Sequence, residues 1–154
     1  MKPWIALSSL LVSFAVAATV IAADPAATVK ARKDLMGTNS DSIKMIMAAV
    51  KSGKVGAKEI AAAATIHANA SKIPGLFPSG TGREVIKTRA KDEIWKNFAQ
   101  FESRAGNLSK VAAAFEAAAK SGNAGATSDA MRTLVGACNA CHKQFGGRSQ
   151  IKVK

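Results

Sequence analysis

Apolar residues that return at intervals of four and three leave a chain little choice but an amphipathic helix, because 3.6 residues complete one turn. Ile94, Phe98, Phe101, Ala105, Leu108, Ala112, Phe115 and Ala119 follow that rhythm, predicting the longest helix over about 92–121. Val29, Met36, Ile43 and Val50 recur every seven residues, with Ile46 and Met47 between them, and predict a first helix over about 26–52. Ile60, Ala63, Ile66, Ala70 and Ile73 mark a second over about 57–71, stopped by Pro74. Thr127 or Ser128 can cap a fourth that runs through Gln144 to the Gly146-Gly147 stop. The Pro- and Gly-rich stretch from Pro74 to about Ala90 reads as a long ordered connection pinned by Leu76 and Phe77. No alternating run suggests a strand, and the chain has no Tyr and few aromatic residues. The fold class expected is therefore all-α, an antiparallel four-helix bundle.

With 154 residues and 48% hydrophobic residues, the chain can bury one compact core, which argues against both a multidomain machine and intrinsic disorder. Lys2 precedes an uncharged apolar run from Trp4 to Ile21, followed by Ala22 and Ala23. A basic start, an apolar stretch and small residues without a basic stop-transfer cluster predict a cleaved signal peptide over 1–23 rather than a membrane anchor. The domain is then 24–154, exported to a bacterial periplasm, with no stable membrane insertion.

Cys138-Asn139-Ala140-Cys141-His142 lies within the last predicted helix. Residues at i, i+3 and i+4 share one helix face, so two thiols and an imidazole project together. The spacing Cys-x-x-Cys-His is that of covalent haem attachment. Two sulfurs can form thioethers to the vinyl groups on one edge of a porphyrin, while the adjacent imidazole ligates iron. A thioredoxin-type site would place its first thiol at the start of a helix after a strand, and Cys138 sits deep in a helix. A zinc site needs further ligands, and His67, the only other histidine, cannot complete one. His67 reads as a surface or boundary residue of the second helix.

The motif lies close to the C-terminus, whereas small globular c-type cytochromes carry it near the start. Together with Val29-Lys30-x-Arg32 opening the first helix, Ile73-Pro74-x-x-Phe77 closing the second, Glu93-Ile94-Trp95 opening the third and Gly136-x-Cys138-x-x-Cys141-His142, this resembles the class II c-type cytochromes, the cytochrome c' family. The resemblance implies one covalent haem c near one end of the bundle, with thioethers at Cys138 and Cys141 and His142 as the proximal iron ligand. High-spin members place an apolar residue over the distal haem face from the first helix and leave iron five-coordinate. Low-spin members place Met there. Four residues on from Arg32, whose matching position precedes the distal residue by one turn, stands Met36, and Leu35-Met36 followed by Asn39 resembles the low-spin subgroup.

Met36 is thus the expected distal ligand, and Arg32 a contact to a haem propionate or the distal side. Met131 shares a helix with His142 and cannot reach the distal face. Met45 lies off the apolar stripe and Met47 further along it, so both read as filler. Trp95 and Phe98 read as packing residues. Many family members carry a basic residue four positions past the haem-ligating histidine. Gly146 stands there in this chain, with Arg148 as a partial substitute.

A His142/Met36 iron implies a soluble electron carrier rather than an enzyme, since both oxidation states keep the same ligands. The alternative is a five-coordinate protein that binds nitric oxide or carbon monoxide. The net charge of +12, with Lys143, Arg148, Lys152 and Lys154 near the motif, implies redox partner proteins with an acidic docking surface. Cations without interleaved aromatics, on an exported chain, argue against nucleic acid. The family resemblance also allows a homodimer.

Overall fold

The computed structural model describes residues 24–146 and Ile151. The signal peptide expected over 1–23, and Arg148, Lys152 and Lys154, lie outside the described residues. Four long helices dominate: α1 (Pro25–Ser52), α2 (Ala57–Ala70), α4 (Phe98–Lys120) and α5 (Ala124–Phe145), with a one-turn α3 (Glu93–Lys96) before α4. A 3₁₀ turn over Pro74–Leu76 opens the connection between α2 and α3. No described residue belongs to a strand, and no helix among them is long and apolar enough to cross a membrane.

Local chemistry sets the helix ends. Asp24 caps α1, its carboxylate accepting from the backbone N–H of Ala26 at 2.9 Å, and Pro25 fills the first helical position, where no N–H is needed. Gly53 ends α1 with φ of 68°, a left-handed conformation that costs glycine least. Asn123 caps α5 by accepting from Ala126 N–H at 2.9 Å, four or five residues earlier than the cap expected at Thr127 or Ser128. Thr127 is instead buried, donating from its hydroxyl to Asn123 O at 2.8 Å and Ala118 O at 3.1 Å, and so ties α5 to α4.

The third helix departs from the single span expected over 92–121. It breaks at Asn97, whose φ of −127° and ψ of 50° are not helical. Asn97 closes α3 through its N–H to Glu93 O at 3.0 Å, and its own carbonyl then starts α4 by accepting from Gln100 and Phe101. The break lets Trp95 turn toward the connection, where its indole N–H donates to Phe77 O at 3.0 Å, while Phe101 still enters the core. Hydrophobic period alone does not register such a break, because the apolar residues keep their count on both sides of it.

α2 packs along α4, α4 along α5 and α1 along α2, but α1 and α5 touch only sparsely. Two apolar clusters result. The first joins Ile43, Ile46, Ile66, Phe115, Met131, Leu134 and Val135 from all four long helices. The second joins Ile73, Phe77, Ile94, Phe101 and Phe145 around the connection and the C-terminal end of α5, with Met36 and Cys141 packed against it.

Candidate cofactor site

Where α1 and α5 fail to close on each other, a two-lobed cavity opens. The smaller lobe, about 340 Å³, lies between the helices and is walled by Ile43, Ile66, Ile73, Leu108 and Cys138. The larger, about 750 Å³, lies toward the connection, between Val29, Phe77, Ile94 and Phe145, with Lys87, Thr88 and Arg89 on its rim. Met36 from α1 and Cys141 and His142 from α5 line both lobes, as do Lys33 and Phe101. The expected distal and proximal residues therefore border one space from two different helices.

Cys138, Cys141 and His142 share the α5 face that the motif spacing requires. Both cysteines are free thiols. Burial pushes the Cys138 thiol up to about 11, and the neighbouring Cys141 adds to the rise. Cys141 is raised by burial too, against a lowering pull from Arg104. Burial lowers His142, which keeps the imidazole neutral and its lone pair free for a metal. Among the described residues, His142 Nδ1 is the one buried side-chain nitrogen or oxygen without a hydrogen-bond partner. A neutral imidazole with an unpaired buried nitrogen, two unlinked thiols one turn apart and an apolar slot beside them fit a covalently held porphyrin.

Arg32 lines the larger lobe, but its guanidinium is turned into the connection. Nε donates to Leu76 O, Nη1 to Thr81 O at 3.0 Å and Nη2 to Thr81 Oγ1, and the group lies 4.0 Å from the centroid of the Phe77 ring. Five per cent exposed, Arg32 anchors the loop that roofs the cavity. Its position on α1 was legible from the sequence; the orientation of its donors was not.

Gly146 explains the missing basic residue past His142. Its φ is 130°, and a Cβ there would press into the Arg89 carbonyl oxygen and lie 3.1 Å from Lys91 N. It forms an antiparallel bridge with Ala90, next to a hydrogen bond from Lys91 N–H to Phe145 O at 2.9 Å, so α5 ends flush against the connection. Lys87 and Arg89 bring cations to the same lobe from that connection. Loop cations carry no periodic signal, so no pattern in the sequence marks them for the site. Lys33, one turn before Met36 on the same helix face, could have been found from its spacing.

The other methionines and histidine take the places expected of packing and surface residues. Met131 is buried on α5 within the first cluster, Met47 packs against that cluster and Met45 is exposed. His67 is exposed on α2, its Nδ1 3.0 Å from both the hydroxyl and the carbonyl oxygen of Ser109 on α4. Trp95 and Phe98 belong to the aromatic group around Phe77 and Phe101.

Comparisons with known proteins agree with this architecture. The profile of the cytochrome c' family matches residues 27–146. Cytochrome c' of Rhodospirillum rubrum is 34% identical over 125 residues, 80% of this chain and 84% of that protein. Cytochrome c-556 of Agrobacterium tumefaciens is 38% identical over 85 residues, 55% of this chain and 66% of its own length. Among solved structures, cytochrome c' from Thermochromatium tepidum superposes with a TM-score of 0.69 at 28% identity, covering 80% of this chain and 97% of its own. A cytochrome c' described by an unusual ligand-controlled dimer dissociation superposes with a TM-score of 0.74 at 25% identity, covering 82% and 99%. Because the match runs from the start of α1 to the end of α5 and takes in both lobes of the cavity, the chain belongs to the cytochrome c' family, whose members carry a single covalent haem c.

Proposed function

We propose that Cys138 and Cys141 hold the haem through thioethers, that His142 ligates iron on the α5 side and that Met36 stands over the other face from α1. The observation that carries this reading is that Met36 and His142 line the same two lobes from two facing helices. Haem c supplies an iron that changes oxidation state and can take a diatomic gas. The chain supplies the apolar slot, a neutral imidazole and the choice of what covers the distal face.

Two functions follow from that choice. If the Met36 thioether ligates iron, the chain is a six-coordinate electron carrier, and the unchanging ligand set keeps reorganisation small. If Met36 only packs beside the iron, the distal face is open to nitric oxide or carbon monoxide. The position of Met36 supports the first. The comparisons weigh toward the second, because the family is typically five-coordinate and a relative at 25% identity has a ligand-controlled dimer. That relative also supports a homodimer here. Lys2 and the uncharged apolar run from Trp4 to Ile21 support a cleaved signal peptide over 1–23 and periplasmic export, and the net charge of +12 supports an acidic redox partner.

One comparison of spectra decides between them. A carrier with Met36 bound has a low-spin ferrous spectrum indifferent to carbon monoxide, and Met36→Leu becomes high-spin and binds the gas. A wild-type protein that is already high-spin and takes up carbon monoxide, with Met36→Leu altering only its affinity, makes this a gas-binding protein.

A further inference from the structure

Asn139 is the polar residue enclosed by the two cysteines, and haem attachment asks nothing of it. Its amide makes a matched pair of hydrogen bonds with one backbone residue: Nδ2 donates to Ile151 O at 2.8 Å, and Ile151 N–H donates to Oδ1 at 2.7 Å. Both ends of the amide and both backbone groups of Ile151 are used, so position and orientation are fixed together, as a neighbouring strand would fix them. Only an amide side chain of this length offers a donor and an acceptor side by side. Ile151 lies six residues past the end of α5 and outside the span matched by the family. Its side chain packs against the first core cluster, as Cys138 does, and lines the smaller lobe of the cavity next to Ala137 and Cys138.

We infer that Asn139 is a positioning residue that holds Ile151 as an apolar wall on the Cys138 side of the haem cavity and keeps water from that side of the cofactor. The inference rests on haem occupying the cavity. An apolar wall disfavours the oxidation state with the greater charge, so it raises the reduction potential, and it slows contact with hydrophilic oxidants. A tail that is merely fastened for stability does neither.

The test uses the full-length holoprotein and the variants Ile151→Ala, Ile151→Leu, Asn139→Ala and the Asn139→Ala/Ile151→Ala double. The pyridine haemochrome spectrum of the wild type first reports two thioethers; its failure sinks the haem reading, separately from this one. Equilibrium redox titration and the rate of oxidation of ferrous protein by ferricyanide then read the wall. Ile151→Ala is expected to lower the potential and raise the oxidation rate at least twofold, and Asn139→Ala to do the same. The double variant should match the single ones, because both remove one wall, and Ile151→Leu should retain wild-type values. Wild-type potential and rate in Ile151→Ala, or effects that add in the double variant, overturn the inference. If Asn139→Ala matures without haem, the contrast between Ile151→Ala and Ile151→Leu still decides it.

Discussion

The two ends of the bundle use the same four helices to opposite effect. At one end Ile46, Ala63, Phe115 and Leu134 are wholly withdrawn from solvent and fill the space between α1, α2, α4 and α5. At the other, Phe77, Phe101 and Phe145 stand as a wall, their rings edge to face at 4.9 and 5.3 Å between centroids, and the space beside them stays open. At the filled end the Phe115 ring is enclosed by aliphatic side chains of graded size that interdigitate around it, whereas at the open end the three rings brace one another edge to face and hold a surface beside the cavity. Stability is therefore concentrated at the filled end, and chemistry at the open end, where Cys138, Cys141, His142 and Met36 converge on the cavity.

The contrast can be broken from either side. Its largest expected effect is at the filled end: Phe115→Ala should cost about 4 kcal/mol of stability, from lost burial and the cavity left behind. Denaturant unfolding of the holoprotein measures the loss, and the haem spectrum should stay as in the wild type. A changed spectrum would mean that the two ends are not independent. At the open end, Gly146→Ala meets both a left-handed φ and the Arg89 carbonyl, so the cost should be about 2 kcal/mol. This smaller loss should come with a changed haem spectrum, because the displaced segment at Lys87 and Arg89 borders the larger lobe. The smallest effect sharpens the scale: Asn123→Ala removes the α5 cap at the filled end and should cost about 1 kcal/mol, seen as a lower thermal midpoint with unaltered spectrum.

How far the sequence reaches depends on how local the cause is. The four long helices were legible because period and caps act within a turn or two, and three of the four spans agree with expectation to within a few residues. The break at Asn97 was not, since it arises when Trp95 and Phe101 are drawn to different partners, Trp95 to a loop carbonyl 18 residues away. The same division runs through the site. Cys138, Cys141 and His142 could be placed on one face by counting, and the haem chemistry they imply agrees with the family to which the chain belongs. That Met36 would border the same space as His142 needed the resemblance to a family, because 106 residues separate the two.

The sequence by itself determined the helices, the face that carries two thiols and an imidazole, and the glycine and proline positions at which helices must stop. These follow from 3.6 residues per turn and from backbone dihedrals, both properties of neighbours in the chain. Only the tertiary structure decided that the α1–α5 contact stays sparse enough to leave a cavity, that the donors of Arg32 turn to Leu76 and Thr81, that Gly146 must pass Arg89 closely, and that Asn139 holds Ile151. The Arg32, Gly146 and Asn139 contacts each join residues twelve or more positions apart in the chain. Their energies depend on shape and hydrogen-bond geometry that exist only once the helices have packed, so no local pattern announces them.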